Sequence, residues 1–592
     1  MSILPAALPF DDSRRLTGSN LYFDGAGAVL ETVGVAIDDA LLAGWHARTQ
    51  LACRALGWVD SLRVVRRHPD GAALAFEAPI DQLFSATEVN EWAWLATLAS
   101  THAVAADLHA PGHPAAWDEA SALHTLRAFA AAERQPALPV LVQAAEARRL
   151  TVLIDDDVFS IGEGTGVRSW PLKELPAIDA VPWTALHDVP VALVTGSNGK
   201  TTTVRLLAAM AQAHGWHAGH SCTDGVFVDG SAIDSGDFSG PAGAREVLRQ
   251  PQVEAAVLET ARGGILRRGL AVQRANVAVV TNVSDDHFGE YGIHDLDGLA
   301  AVKLTVARVL GADGLLVLNA DDAVLVRQAA ALSAPLGWFA LDDAHPLLRA
   351  SREQAGSTCA VRDGHLHLFH QGIDHDLGVV AQMPLSFAGS AGYNIANIAA
   401  AALAAAALGI PAGTIADVLA RFGSAHADNP GRLQHWRFGT LQVFVDYAHN
   451  PEGLRGLLGV ATTSLGRGRL GLVLGQAGNR EDADIRELAA VAASFHPQRV
   501  VLKDIEGFMR GRVAGEVAGI LRDALVQNAV PVEAVVECLD ELDAVCGLLA
   551  WARDGDVLVL PVHGVQARQA VVELLDGLQA TGWSASSSLP SN

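Results

Sequence analysis

Lysine is almost missing from this chain: of 42 basic Lys and Arg residues only Lys173, Lys200, Lys303 and Lys503 are lysines. Arginine stands wherever a generic positive charge suffices, so each remaining lysine is a functional candidate. Only an amine acts as a compact point charge or accepts a carbamyl group. Positive charge is also in deficit overall, with a net charge of −24. That argues against a nucleic-acid surface, which needs clustered Lys and Arg. No apolar run reaches the ~20 residues of a membrane span; the Ala-rich run Ala399–Leu408 is among the short ones. Met1-Ser2-Ile3-Leu4-Pro5 lacks the basic-then-apolar pattern of a secretory signal. The five cysteines, Cys53, Cys222, Cys359, Cys538 and Cys546, have no disulfide or metal spacing. They read as reduced thiols of a cytoplasmic protein.

What is present organises the 592 residues into about three to four domains by the length prior. Short strands are expected at Leu62–Arg66, Ala72–Phe76 and Thr151–Ile154, and amphipathic helices at Asp38–Leu56 and Ala115–Glu133. Trp170–Pro190, punctuated by proline, reads as a linker. Strands and helices then alternate: Val191–Val194, a helix Thr201–His214, and apolar runs at Ala255–Leu258, Val277–Thr281 and Gly314–Leu318. This α/β pattern predicts a mostly parallel sheet covered by helices, ending near a helix at Ala391–Leu408. Asp428–Arg432 is a second break, followed by strands at Leu441–Val445, Leu470–Leu474, Val500–Leu502 and Val557–Leu560. The polar residues Thr581–Asn592 are expected to fray.

The sharpest local signal is Thr195-Gly196-Ser197-Asn198-Gly199-Lys200-Thr201-Thr202, set between a buried strand and a helix. Glycines let backbone N–H groups approach phosphate oxygens, and the helix N-terminus favours negative charge. Lys200 is placed for the β/γ-phosphates and the Thr201 hydroxyl for Mg²⁺. Val194 stands where the longer eight-residue pattern has its first glycine. The plain alternative is a glycine turn joining strand to helix.

The loop resembles that of the Mur ligases, and further matches follow in order. They are Asn319-Ala320-Asp321-Asp322, Asn394-Ile395-Ala396-Asn397, Pro430-Gly431-Arg432-Leu433, Asp446-Tyr447-Ala448-His449-Asn450-Pro451 and Gly478-Asn479-Arg480-Glu481-Asp482. Within that superfamily the chain is most similar to the Mur-like half of cyanophycin synthetase. Leu258-Glu259-Thr260-Ala261-Arg262-Gly263-Gly264-Ile265-Leu266-Arg267-Arg268-Gly269-Leu270 carries this likeness, with Thr223-Asp224-Gly225 and Arg510-Gly511-Arg512 followed by Gly515-Glu516.

The resemblance implies a three-domain α/β architecture: an N-terminal domain with linker over 1–180, a central P-loop parallel-sheet domain over 181–427, a Rossmann-like C-terminal domain over 428–580, and a tail. It implies ATP and two Mg²⁺ ions, with Thr201 and Glu259 at the first. His287, of the pair Asp286-His287, would serve the second, and Lys303 would be a carbamylated ligand, since a carbamate is a hard oxygen donor. Gly196, Ser197, Asn198, Gly199, Thr202, Asn282, Asn394, Arg432 and Asp446 would contact nucleotide, and Arg262, His449 and Asn450 substrate. Lys200, Glu259, His287 and Lys303 form the implied catalytic set.

Plainer readings stand beside these. His287 also reads as a turn cap, Lys303 as a solvated helix lysine, and Asn394 and Asn397 as an ordinary helix start. Arg262, Arg267 and Arg268 are surface charge or a carboxylate fork. Tyr393 stands where many Mur ligases have His.

The implied reaction forms an amide through an acyl phosphate, joining an amino acid to an acidic peptide or polymer. Cyanophycin synthetase also has an ATP-grasp module. Here Leu16–Asn20 resembles the start of its N-terminal domain and Ala144–Gly164 the entry into its ATP-grasp region, but the loop follows after a short linker. One ligation is therefore expected, with a separately encoded ATP-grasp synthetase as a possible partner and homo-oligomerisation left open. The alternatives are another Mur-type ligase, of cell-wall or folylpolyglutamate type, and a non-catalytic nucleotide-binding partner of a synthetase. Asp12-Ser13-Arg14 superficially resembles the cell-wall type.

Overall fold

The structure, a computed structural model, describes residues 9–58, 61–101, 118–285, 288–585 and 587–589. Three principal sheets follow one another along the chain. The first has four antiparallel strands, Phe10–Leu16, Gly27–Thr32, Arg63–His68 and Gly71–Glu77. Helices Asp39–Leu56, Leu83–Thr101 and Glu119–Glu133 accompany it, the first capped by Asp38, whose carboxylate accepts from the Leu41 N–H. Trp45, Trp92 and Trp94 fill the core between helices and sheet. Of the expected helix at 115–133, residues 115–117 lie outside the described residues.

The stretch read as a linker is more structured than its prolines suggest. Arg168–Pro171 completes a three-stranded sheet with Val152–Ile154 and Val158–Ile161, and three 3₁₀ turns follow. Val181 and Leu186 join the small core around Phe159, so the apolar residues between the prolines are anchors.

The second sheet has eleven strands. Its parallel centre places Val191–Thr195 between Ala255–Glu259 and Ala275–Val280, with Val194 paired to Glu259 and Thr195 to Val280. These strands therefore end level, and three loops emerge together at their carboxyl edge, where open α/β sheets bind ligands. Helices Lys200–His214 and the Ala-rich Gly392–Ala407 pack on one face of this sheet. Antiparallel hairpins extend both edges: Gly225–Val228 with Ser231–Ser235, and Ser357–Arg362 with His365–His370 and Ile373–Val379.

The third sheet orders its six strands Gln434–Phe438, Leu441–Asp446, Val557–Pro561, Leu470–Leu474, Arg499–Leu502 and Val535–Glu537. All neighbours are parallel except the first hairpin. The tail departs from the frayed expectation: Trp583 and Ala585 are buried, and the Trp583 ring meets Phe438 edge-on at 5.2 Å. An indole buries too much apolar surface to be left in water. Among the described residues no helix is long and apolar enough to cross a membrane, and all five cysteines are free.

Candidate nucleotide and ligase site

The glycine loop is held in one shape by its neighbours. Gly196 and Gly199 have φ of 148° and 85°. A Cβ on Gly196 would stand 1.8 Å from Thr281 Oγ1, and one on Gly199 2.1 Å from Asn397 Oδ1. Only glycine fits where backbone and side chain approach this closely. Asn282 holds the loop three times: its side-chain oxygen accepts the Asn198 N–H at 2.9 Å, its amide donates to the Asn198 carbonyl at 3.0 Å, and its own carbonyl accepts the Ser197 N–H at 3.0 Å. The Thr281 hydroxyl donates to the Asn198 carbonyl at 2.6 Å. Lys200 opens the following helix, its Nζ folded back to the carbonyls of Gly196 and Ser197 at 3.1 Å each. A polyphosphate in the loop would offer that ammonium a stronger, charge-assisted partner.

Behind the loop, Glu259 is 1 % exposed. Its carboxylate accepts from the Thr201 hydroxyl at 2.8 Å and the Thr223 hydroxyl at 2.9 Å. Mg²⁺ prefers hard oxygen donors, and Thr201 with Glu259 supplies that donor set side by side. The residues present therefore fit the ion. Thr202 is buried in the same turn and accepts from the Asn429 amide at 3.2 Å.

The C-terminal sheet closes the other side. Asn450 caps helix Pro451–Thr462 by accepting the Gly453 N–H, while its amide donates to Asn198 Oδ1 at 2.9 Å. Asn198 in turn donates to Glu452 at 3.0 Å. Arg432 lies 3.4 Å from the Thr201 hydroxyl and stacks over Tyr447 at 4.6 Å. Asp446 accepts from the backbone N–H groups of Leu433 and Ala448 at 2.6 and 2.7 Å. Burial pushes its carboxyl up, against the opposing pull of Arg432 and these hydrogen bonds. Between the two sides lies a cavity of about 530 Å³, lined by Ser197–Thr202, Glu259, Asn282, Tyr393, Asn394, Arg432, Asp446 and His449 among others. That is the size and setting of a small-molecule site.

Other anticipated residues lie nearby or apart. Asn394 does more than start a helix: its buried amide donates to the Leu385 carbonyl at 3.0 Å, and its oxygen accepts from Asn397 at 3.3 Å. Lys303 ends helix Leu296–Lys303 and is 2 % exposed, so a freely solvated lysine is excluded. Arg262 is buried and paired with Glu290. Arg267 donates to the Tyr291 hydroxyl at 2.8 Å, and the Arg268 carbonyl accepts the Thr17 N–H from the N-terminal sheet at 2.8 Å. Asp286 and His287 lie outside the described residues.

One cluster went unread in the sequence. Asp224 gathers Arg205 at 2.7 Å, Arg568, and Arg432 at 3.8 Å. Burial acts to raise the Asp224 pKa, but the three guanidiniums hold it below the usual carboxylate range. Asp224 was visible within Thr223-Asp224-Gly225, but no local pattern links it to Arg568.

Comparison with known proteins agrees with this geometry. The chain matches the family models for the Mur ligase middle domain over residues 194–405 and for the Mur ligase glutamate ligase domain over residues 431–561. It is 35% identical over 374 residues to a cyanophycin synthetase of Synechocystis sp., covering 63% of this chain and 42% of that protein. It thus spans under half the length of that relative. It is 31% identical over 405 residues to the UDP-N-acetylmuramoyl-L-alanyl-D-glutamate--2,6-diaminopimelate ligase of Xanthomonas campestris pv. campestris, covering 67% of this chain and 77% of that one. A solved Mycobacterium tuberculosis folylpolyglutamate synthase complexed with ADP is similar at a TM-score of 0.49 and 18% identity, over 65% of this chain and 90% of that chain. The two family models together cover more than half of the chain, and it belongs to the Mur ligase family.

Proposed function

We propose that this chain is an ATP-dependent carboxylate–amine ligase that couples an amino acid to an acidic peptide in cyanophycin-like peptide synthesis. The observation that carries the reading is the double tether of the phosphate loop. Thr201 ties it to Glu259 behind, and Asn198 ties it to Asn450 and Glu452 across the cavity. A site built this way brings nucleotide and a second substrate together under two sheets.

In the proposed reaction an oxygen of the substrate carboxylate attacks the γ-phosphorus of ATP, and ADP leaves. The resulting acyl phosphate is attacked at its carbonyl carbon by an amine, which loses a proton as phosphate departs and an amide forms. Lys200 and Arg432 supply positive charge to the phosphates, and the glycine loop orients them; positioning and electrostatics carry most of phosphoryl transfer. Mg²⁺, held at Thr201 and Glu259, would neutralise phosphate charge when bound. A second ion would take His287 and a carbamylated Lys303. The docked C-terminal sheet excludes water from the acyl phosphate, which would otherwise hydrolyse.

Arg262 and His449 are proposed on the acceptor side, with Glu290 holding Arg262 in place. The region where the resemblance would put a second ligase module, residues 165–190, holds a short strand and 3₁₀ turns. One ligation per catalytic cycle, alongside a separate synthetase, fits that arrangement.

The test is phosphate release from ATP with each standard amino acid, with and without β-Asp-Arg peptides as acceptor. Release that needs both an amino acid and the peptide is expected. No amino-acid-dependent release with any acceptor would sink the cyanophycin-like reading, and a requirement for a UDP-sugar would move the substrate to the cell-wall type.

A further inference from the structure

We infer that a transition-metal ion, Zn²⁺ foremost, binds at the seam between the N-terminal and central sheets, on His68, Asp70 and His294. This site lies apart from the cavity and does not depend on the ligase reading. His68 and Asp70 sit on a tight hairpin, with His68 paired to Gly71 and Pro69-Asp70 as the two-residue turn. His294 arrives from the loop two residues ahead of helix Leu296–Lys303. One donor atom from each of the three residues lies within 4.8 Å of the other two. Among the described residues this is the one such convergence of three His, Cys or carboxylate groups.

The second observation is unmet hydrogen bonding. The His68 side chain is 6 % exposed, yet neither ring nitrogen has a hydrogen-bond partner. Buried polar atoms are rarely left this way. Glu31 stands behind it: Oε1 accepts from Arg14 at 2.6 Å, while Oε2 has no hydrogen bond and lies 3.7 Å from His68 Nε2. That distance is too long for a hydrogen bond. His294 Nε2 is 3.0 Å from Asp70 Oδ2, but the approach is too oblique for a hydrogen bond.

Donors around a tetrahedral Zn²⁺, each at about 2.0–2.2 Å, stand about 3.3 Å from one another. The pair at 3.0 Å is already near that spacing. Two imidazoles and a carboxylate suit Zn²⁺ and its neighbours in the transition series and suit Mg²⁺ poorly. With an ion on Nδ1, His68 Nε2 would need to close from 3.7 Å to hydrogen-bond distance of Glu31 to gain the carboxylate–histidine pairing that orients metal-bound imidazoles. Asp70 is largely exposed, which leaves an entry path and a position for water.

The backbone is shaped for this approach. Gly292 has φ of 64°, and a Cβ there would stand 2.3 Å from His68 Cδ2. The Gly292 carbonyl accepts from Arg66 at 2.8 Å, tying the same loop to the same strand. An ion here would clamp that loop, which also carries Glu290, the partner of Arg262.

The experiment uses the full, untagged chain, stripped with EDTA and dialysed, then titrated with Zn²⁺ in excess Mg²⁺ against a chromophoric chelator. The protein has 22 histidines, so variants decide the site. One tight Zn²⁺ per chain is expected, weakened at least tenfold in H294A and in the surface variant D70N, with a tetrahedral Co²⁺ absorption band lost in both. Zn²⁺ should also raise the melting temperature of the parent and not of the variants. No tight Zn²⁺ in the parent, or undiminished Zn²⁺ and Co²⁺ signals in both variants, would overturn the inference.

Discussion

The Thr201 hydroxyl donates to Glu259 Oε2 at 2.8 Å, joining residues 58 positions apart, and the opposite oxygen of that carboxylate accepts from Thr223. Glu259→Gln keeps the shape but replaces one acceptor with a donor and removes the charge that would hold an ion. Amino-acid-dependent phosphate release is expected to fall on the order of 100-fold, with the far-UV spectrum unchanged. Activity within a few-fold of the parent would remove Glu259 from the proposed metal site.

Gly196→Ala would drive a methyl group into Thr281 Oγ1. The Thr281 hydroxyl would have to leave the Asn198 carbonyl, opening the loop. ATP binding, read by calorimetry, is expected to weaken at least tenfold, with a stability loss of about 1–3 kcal/mol. Gly519→Ala serves as the contrast, since a Cβ there meets nothing within 4 Å and the residue lies inside helix Glu516–Gln527. It should stabilise by about 0.5–1 kcal/mol.

If Lys303 carries a carbamate, arginine cannot replace it, because a guanidinium does not form one. Lys303→Arg is expected to lose activity on the order of 100-fold, whereas Lys303→Glu, which restores a carboxylate, should retain more. A carbamate resonance in the parent protein fed ¹³C-bicarbonate, absent in Lys303→Arg, would identify the modification directly. Equal activity of the two variants and no resonance would return Lys303 to a purely structural role.

Acid sensitivity should come partly from two buried histidines. Burial, and then the neighbouring Lys503 ammonium, push the His563 imidazole well below its ordinary value; burial and Arg205 lower His220 to about 3. Below the unfolded value of about 6.5 the unfolded chain takes up protons that the folded chain refuses. Stability is therefore full above about pH 6.5 and lost as pH falls towards the folded values, by up to about 1.4 kcal/mol per pH unit for each histidine. His563→Gln should flatten the stability–pH profile between pH 6.5 and 5 by about one proton, read from urea midpoints.

The elements legible in the sequence are those whose apolar run matches their burial. Val191–Thr195 and Ala255–Glu259 are buried throughout, and both show as short apolar runs. Phe10–Leu16 is a strand rich in charge, so no run announces it; Arg14 is accommodated only because Glu31 and the Leu266 carbonyl meet it. Ser231–Ser235 is fully exposed and extends the sheet edge by pairing alone. The same division holds at the site. The glycine loop between strand and helix is one continuous segment, so its shape reads directly, whereas Arg205, Asp224 and Arg568 meet only through folding.

That arginine cluster has a consequence for how the molecule would meet the proposed nucleotide. Three guanidiniums crowd one carboxylate where the central and C-terminal sheets touch, and Arg432 also lies within 3.4 Å of the Thr201 hydroxyl. Asp224, Asp446 and Glu259 all act on Arg432, so the seam holds its charges closely balanced beside the proposed phosphate position. A polyanion bound there would draw on Arg432, which already reaches Thr201 and Asp224, and so would strengthen the grip between the two sheets. By reciprocity, anything that tightens the grip raises affinity for the polyanion by the same factor. Nucleotide occupancy and domain docking would then be a single equilibrium viewed from two sides.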